Sequence, residues 1–360
     1  MMKRLLTILA ALALAFPAPA QIYHNADDLP LFGKITENTA ERYERLPAYL
    51  EGNIRDMLWT LGRHSAGLYI RFNTNSTEIW CRWTVKFGTH MAHQTLIGSR
   101  GVDLYALNDK DEWRFVAAAM PDRDSKESNY RIATCMDGKE REYMLYLPLY
   151  DSIDSLEIGI DSTAVLSLPK VDLPKAERPI VMYGTSILQG GCANRPGMAS
   201  TGIIGRRLNR QVINLGFSGN AKVDLEIAEV MASAKDPSLF VFDYVPNASP
   251  EMIRERGEAF FRIVRDAHPD VPVLFLEDPY YSKYELMSNA REEVDTRNAA
   301  QRELFEKLKK QGEKKIWYLK SDDMVGHDNE AFVEGIHFTD LGMMRYAEWI
   351  LPHIKRRMLK

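Results

Sequence analysis

Residues 181–191 read VMYGTSILQGG. Val181, Met182 and Tyr183 suit the end of a buried strand, and they run straight into Gly184-Thr185-Ser186 and a loop carrying Gly190 and Gly191. A tight strand-to-loop turn would account for such a stretch taken alone. A Ser in that turn becomes chemically interesting only if the strand belongs to a parallel sheet, because ligands there gather beyond the carboxyl ends of the strands. The residues downstream therefore decide the fold.

They point to such a sheet. IVMYG (180–184), QVINLGF (211–217), SLFVFDYV (238–245), VPVLFLED (271–278) and KKIWYLKS (314–321) are continuous apolar runs of the kind covered on both faces. Between them lie the amphipathic segments STGIIGRRLN (200–209), KVDLEIAEVMASA (222–234), PEMIRERGEAFFRIVRDA (250–267) and REEVDTRNAAQRELFEKLKKQG (291–312), and TDLGMMRYAEWILPHIKRRML (339–359) closes the chain. Strict alternation of these lengths predicts a doubly wound, flavodoxin-like α/β domain with five parallel strands over 178–360.

Upstream the period changes. GLYIRFNTNSTEIWCRWTVKF (67–87) has two β-rich runs around Asn73-Thr74-Asn75-Ser76 and reads as a hairpin. GVDLYALND (101–109), EWRFVAAAM (112–120), NYRIATCM (129–136), REYMLYLPL (141–149) and SLEIGID (155–161) follow, separated by turn-forming residues. Many short strands with few helical runs predict an antiparallel β-sandwich over 21–172, joined to the α/β domain by the Pro- and Lys-bearing stretch LPKVDLPKAERP (168–179).

The first residues, MMKRLLTILAALALAFPAPAQ, carry Lys3 and Arg4, an apolar run from Leu5 to Phe16, and Ala18-Pro19-Ala20 in a small-x-small pattern. This reads as an export signal over 1–20 cut after Ala20, placing the mature protein in the periplasm or outside the cell. The apolar run is short of the roughly 20 residues that span a bilayer, and no Cys follows to take a lipid. With 46 Lys and Arg against 50 Asp and Glu, there is no overall pull toward nucleic acid or an anionic membrane surface. Cys81, Cys135 and Cys192 are an odd set without metal-ligand spacing. Cys81 and Cys135 either pair within the sandwich or stand as buried free thiols; Cys192 reads as a loop-packing residue.

Chemistry-bearing residues fall at strand ends. Ser186 ends the first strand, although no G-x-S-x-G elbow is present because position 188 is Leu. NLGFSGN (214–220) ends the second, and Gly219 there permits close backbone approach or a positive φ. In DYVPNASP (243–250), Ser249-Pro250 already suits a helix N-cap and first turn, which frees the Asn247 amide to donate elsewhere. In EGIHFTDLG (334–342), Thr339 or Asp340 starts the last helix and leaves His337 on the loop before it.

In order and context, Ser186, Gly219, Asn247 and His337 resemble the blocks of the SGNH hydrolases, also called GDSL-type esterases. GVDLY (101–105) is similar to the G-x-D-L-Y signature of a β-rich domain found ahead of SGNH domains in secreted bacterial esterases, and GGCANRPGMA (190–199) resembles the same subgroup. One departure is plain: where the family has Asp three residues before the His, this chain has Glu334, with Asp328 or a backbone carbonyl as alternatives for orienting the imidazole. The resemblance implies a Ser186 nucleophile, a His337 base, an oxyanion hole of the Ser186 and Gly219 N–H groups with the Asn247 amide, and no metal or organic cofactor. It further implies an acylated carbohydrate as substrate, with acetyl the expected group. A lysophospholipase-type acylhydrolase and a catalytically silent glycan-binding protein are the alternatives. Trp59, Trp80, Trp83 and Trp113 are candidates for stacking on sugars, although strand aromatics more often pack inward.

Overall fold

The computed structural model describes residues 20–359, so the export-signal reading, which rests on residues 1–19, lies outside the described residues. Ten strands build the first half: β1 (Gln21–Asn25), β2 (Leu31–Phe32), β3 (Tyr69–Thr74), β4 (Ile79–Val85), β5 (Val102–Leu107), β6 (Trp113–Ala119), β7 (Glu127–Ala133), β8 (Arg141–Tyr146), β9 (Ile153–Asp161) and β10 (Leu166–Ser167). They form two antiparallel sheets, β1-β9-β4-β7 and β10-β3-β8-β5-β6, with β2 beside β3. Ile70 and Phe72 from β3, Leu104 from β5 and Leu145 from β8 face Ile79, Cys81 and Trp83 from β4 and Ile158 from β9 across one core. Two helices belong to this half of the sequence, α1 (Asp56–Gly62) and α2 (Leu96–Arg100).

The hairpin expected at 67–87 is not one. β3 and β4 lie in different sheets, and Asn75–Glu78 carry the chain across the sandwich. Local turn chemistry serves both geometries; the choice follows from burial, since both strands put apolar residues into the space between the sheets. The pairing considered for Cys81 and Cys135 does not form either. Cys81 is buried in the sandwich core, whereas Cys135 sits exposed beyond the end of β7, so its reading as a buried thiol is corrected as well.

The second half contains β11 (Lys175–Gly184), α3 (Ser186–Gln189), α4 (Ser200–Leu208), β12 (Arg210–Gly216), α5 (Leu225–Ala232), β13 (Leu239–Asp243), α6 (Pro250–Ala267), β14 (Val273–Leu276), α7 (Ser288–Lys310), β15 (Ile316–Leu319) and α8 (Asp340–Arg357). All five strands are parallel, in the order β12-β11-β13-β14-β15, which is the flavodoxin-like order with its switch point beside β11. Strand alternation sets the two faces. Val181 and Tyr183 pack with Phe240, Phe242, Phe260 and Leu304 on one side. Ile180 and Met182 pack with Val241, Ile203, Tyr346 and Ile350 on the other. Each such fully buried side chain contributes about 1.5–3 kcal/mol. The linker stretch feeds directly into the sheet, because β11 begins at Lys175 and its pairing with β12 is irregular between Lys175 and Ile180. Among the described residues no helix is long and apolar enough to cross a membrane.

The halves are interlocked. Leu46, Leu50, Leu58, Trp59 and Leu61 belong to the core of the α/β sheet rather than to the sandwich core. The buried Arg45 guanidinium donates to the Asn214 and Gly216 carbonyls at the end of β12, at 2.9 and 3.0 Å. Of the four tryptophans considered for sugar stacking, Trp59 and Trp83 are core residues, Trp80 is half-buried under Arg131, and Trp113 lines a surface cleft with Phe115 and Arg195.

Candidate active site

Ser186 is buried at the first position of α3, directly after the extended Thr185, whose hydroxyl accepts from the Ile187 N–H at 3.3 Å. The turn needs glycine at Gly184, where a Cβ would lie 2.9 Å from the Leu188 side chain and 3.0 Å from the Asp243 carbonyl. It also needs glycine at Gly216, where a Cβ would meet the Gln189 nitrogen at 2.2 Å. The short helix is thereby pressed against the end of β12. Buried Asn214 fastens it there: its Nδ2 donates to the Leu188 carbonyl at 2.8 Å and its Oδ1 accepts from the Gly216 N–H at 2.8 Å. From the sandwich side, Tyr150 donates to the Ser186 carbonyl at 3.3 Å.

The partners converge on the Ser186 hydroxyl. His337 Nε2 lies 2.8 Å from Ser186 Oγ, and His337 Nδ1 is hydrogen-bonded to Glu334 Oε1, which also accepts the His337 N–H at 3.3 Å. Gly335, at φ +90°, makes the turn between them, and the Val333 N–H to His337 carbonyl bond at 2.8 Å closes it. This is why an offset of three residues suffices for the carboxylate to reach the ring. Burial pushes the Glu334 carboxyl upward, but the hydrogen bonds and charge of His337 outweigh it and hold the group below the usual glutamate range. Glu334 is thus ionised at neutral pH.

Asp328, the alternative acid, is committed elsewhere. Arg345 clamps both of its oxygens, at 2.7 and 2.8 Å, and holds its carboxyl below the usual range. Thr339 is the N-cap of α8, accepting from the Gly342 N–H at 3.2 Å, and Asp340 is the first helical residue.

Thr185, Ser186, Ser218, Gly219, Asn247, Ile336 and His337 line one cleft of about 310 Å³. Gly219 has φ +65°. Asn247 Oδ1 accepts from the Ala221 N–H at 3.4 Å. Ser249 caps α6 by accepting from the Met252 N–H, so Asn247 is indeed not used for capping. Tyr281, Lys283, Glu293 and Arg297 form the far wall, and Arg297 is paired with buried Asp278 at 2.7 Å.

The loop after α3 is tied both to the His337 loop and to the sandwich. The Cys192 N–H donates to the Phe338 carbonyl at 3.1 Å, and the Asn194 N–H to Asp340 Oδ1 at 2.9 Å. Asp103, buried on β5, accepts from the Gly197 N–H at 2.9 Å and from Arg195 Nη1 at 2.5 Å. Val102 and Leu104 point into the sandwich, while Asp103 and Tyr105 point at the α/β half. The GVDLY stretch therefore works as a clasp.

A serine, an imidazole and a carboxylate in hydrogen-bonded series at the carboxyl edge of a flavodoxin-like sheet define the class as a carboxylic ester hydrolase of SGNH type. The comparisons with known proteins agree. Residues 177–355 match the GDSL-like Lipase/Acylhydrolase family, and residues 21–166 match the GxDLY family, the N-terminus of Esterase_SGNH_hydro-type. A GDSL-like lipase from Bacteroides ovatus is 34% identical over 94% of this chain and 99% of its own, with a TM-score of 0.89. The salicylyl-acyltransferase SsfX3 from a tetracycline biosynthetic pathway is 15% identical, over 92% of this chain and 96% of its own, with a TM-score of 0.72. A family two carbohydrate esterase from Clostridium thermocellum, in complex with cellohexaose, is 13% identical over 81% of this chain and 92% of its own, with a TM-score of 0.58. The last two share the fold. No curated protein sequence matches the chain significantly. The chain belongs to the GDSL-like, or SGNH, esterase family.

Sequence reasoning missed Asn214, Tyr150 and the Asp103 clasp as parts of the site. The one available signal was Asn214 itself, a polar residue inside an otherwise apolar strand run.

Proposed function

We propose that this protein is an exported serine esterase that removes short acyl groups, acetyl foremost, from carbohydrate. Ser186 Oγ attacks the ester carbonyl carbon as its proton passes to His337 Nε2, and Glu334 stabilises the imidazolium. The carbonyl oxygen gathers negative charge facing the Ser186 and Gly219 N–H groups and the Asn247 amide. The C–O bond to the sugar breaks, and His337 returns the proton to the leaving hydroxyl. Water then repeats the sequence on the acyl-enzyme and releases the acid and free Ser186.

The observation that carries the reading is the cleft. At about 310 Å³ it is at the small end of ligand sites, and its far wall carries Lys283, Glu293 and Arg297. Those charged groups suit a polyhydroxylated leaving group, and Ile187, Pro246, Ala290, Val294 and Ile336 give the same small cleft apolar surface for an acyl group. A carbohydrate esterase among proteins of the same fold supports the same substrate class.

The test compares acetate release from acetylated oligosaccharides with fatty-acid release from lysophospholipid, beside a chain-length series of aryl esters. Activity is expected to be highest on acetyl and to fall steeply with chain length. An optimum at long acyl chains would move the assignment to the lysophospholipase type, and binding of the glycan with no ester turnover would mark a silent binding protein.

A further inference from the structure

We propose that His93, Cys192 and His337 form a binding site for zinc or a cation of similar softness, and that its occupancy switches the esterase off. The switch rests on the reading of His337 as the base; the binding site does not. The three side chains each offer one ligand atom, and these atoms lie within 4.8 Å of one another. Two imidazoles and a thiol are a donor set that favours zinc over magnesium or calcium. Zinc held tetrahedrally by such ligands separates its donors by roughly 3.3–3.8 Å, as bond lengths of about 2.0–2.3 Å require. The set must therefore close by about 1 Å at its longest edge. His93 can supply that movement because it lies on the loop between β4 and α2 with part of its surface open to solvent.

The donors come from three segments that are already tied together. Thr95 donates to the Asn194 carbonyl at 2.6 Å, close to both His93 and Cys192 in sequence. The Cys192 N–H to Phe338 carbonyl bond places the thiol beside the His337 loop. The His93 and His337 rings stand 5.2 Å apart. When a cation binds, the Cys192 S–H proton passes to water as the sulfur–metal bond forms, since coordinated thiols are deprotonated outright. Three protein ligands leave a fourth position for water.

Inhibition follows from His337 having no spare nitrogen. Nε2 is bonded to Ser186 and Nδ1 to Glu334. Whichever nitrogen takes the metal, the catalytic series is broken, so metal binding and turnover exclude each other. His93 reaches the site from the sandwich half, and only the assembled two-part chain has the complete ligand set.

The binding arm uses Ser186→Ala protein titrated with Co²⁺, whose thiolate charge-transfer band reports a cobalt–sulfur bond without any ester turnover. The band is expected in Ser186→Ala and is expected to vanish in Ser186→Ala/Cys192→Ser. In Ser186→Ala/His93→Ala the cobalt affinity should fall by at least about tenfold, the lower edge of what even an outer-shell partner contributes. The inhibition arm uses the otherwise unaltered protein: Zn²⁺ should lower kcat, and a chelator should restore it. Half-inhibition should need at least about tenfold more Zn²⁺ in His93→Ala, measured against that variant's own metal-free rate. Absence of the band, or its survival in Cys192→Ser, overturns the site. A normal band with no zinc inhibition overturns the switch. If Cys192→Ser does not fold, the partly exposed His93 carries the test, and equal cobalt affinity with and without it overturns the proposal. A normal cobalt band in a protein without esterase activity leaves the site standing and refutes the function proposed above.

Discussion

The two walls of the cleft are built differently. On the nucleophile wall, Ser186, Gly219 and Asn247 each lie within a few residues of a strand end, on β11, β12 and β13, and β11 is paired with both neighbours in unbroken register from Ile180 to Gly184. On the opposite wall, His337 and Glu334 sit in the stretch between β15 and α8, outside any sheet strand. That wall is held by cross-ties: Cys192 to Phe338, Asn194 to Asp340, and behind them Asp103 to Gly197 and Arg195. A sheet fixes the hydroxyl and the facing donors through the core itself. The acid–base pair is fixed through loops, and so depends on residues far from it in sequence.

The largest expected effect tests the nucleophile wall at its centre. Ser186→Ala should remove essentially all turnover, on the order of 10⁶-fold in kcat as in other serine triads, with circular dichroism unchanged. Retention of more than a few per cent would refute the assignment. Next comes the opposite wall. Glu334→Gln should cost about 10⁴-fold in kcat, because the imidazole loses the carboxylate that sets its tautomer and stabilises its charge. Asp328→Asn should leave kcat within about threefold, since the pair with Arg345 lies on the exposed side of the loop. The reverse ranking would transfer the orienting role to Asp328, and two small effects would leave a Ser186-His337 dyad.

The contrast between the walls is also a contrast in what the sequence made legible. The five apolar runs announce a parallel sheet because strands covered on both faces admit few polar residues, and three of the site residues follow from being at their ends. Glu334 was legible too, because its offset from His337 is local. The hairpin reading of 67–87 failed because a turn such as Asn73–Ser76 says nothing about which sheet receives the second strand. The segment 26–65 gave no periodic signal. Its apolar residues pack into the α/β core and Arg45 caps the carbonyls ending β12, and such contacts have no local signature. His93, Tyr150 and the role of Asp103 were hidden for the same reason.

A smaller effect sharpens the nucleophile wall. Asn247→Ala should lower kcat by about 10²–10³-fold with KM on a small aryl ester little changed, as loss of one oxyanion donor does elsewhere. Among the described residues its side chain's only protein hydrogen bond is the 3.4 Å contact from the Ala221 N–H, so stability should barely move. A raised KM at unchanged kcat would mean that Asn247 binds substrate and transition state equally, and would remove it from the oxyanion hole.

The smallest expected effect reaches furthest from the chemistry. Asp103→Asn keeps an oxygen that can accept the Gly197 N–H but removes the charge facing Arg195, whose guanidinium also bonds the Tyr105 hydroxyl at 2.6 Å and lies 3.7 Å over the Phe115 ring. Because the pair is largely buried, its loss should lower stability by about 1.5–3 kcal/mol, the range for a hydrogen bond to a charged group. If the clasp only glues the two halves together, kcat below the melting transition stays at its original value. If it positions the His337 wall through Asn194 and Asp340, kcat falls by roughly three- to tenfold at a temperature where the protein is fully folded, a shift of about 0.6–1.4 kcal/mol in the barrier. The discriminating variant is Asn194→Ala, which leaves the clasp intact and removes the side-chain half of the next tie, the 3.2 Å bond from Asn194 Nδ2 to Asp340 Oδ2. Under the positioning account it lowers kcat to a similar degree without the loss of stability, and combining it with Asp103→Asn adds little, because both changes break one chain of contacts. Independent, multiplicative losses would show that the sandwich and the His337 loop are not coupled along this route.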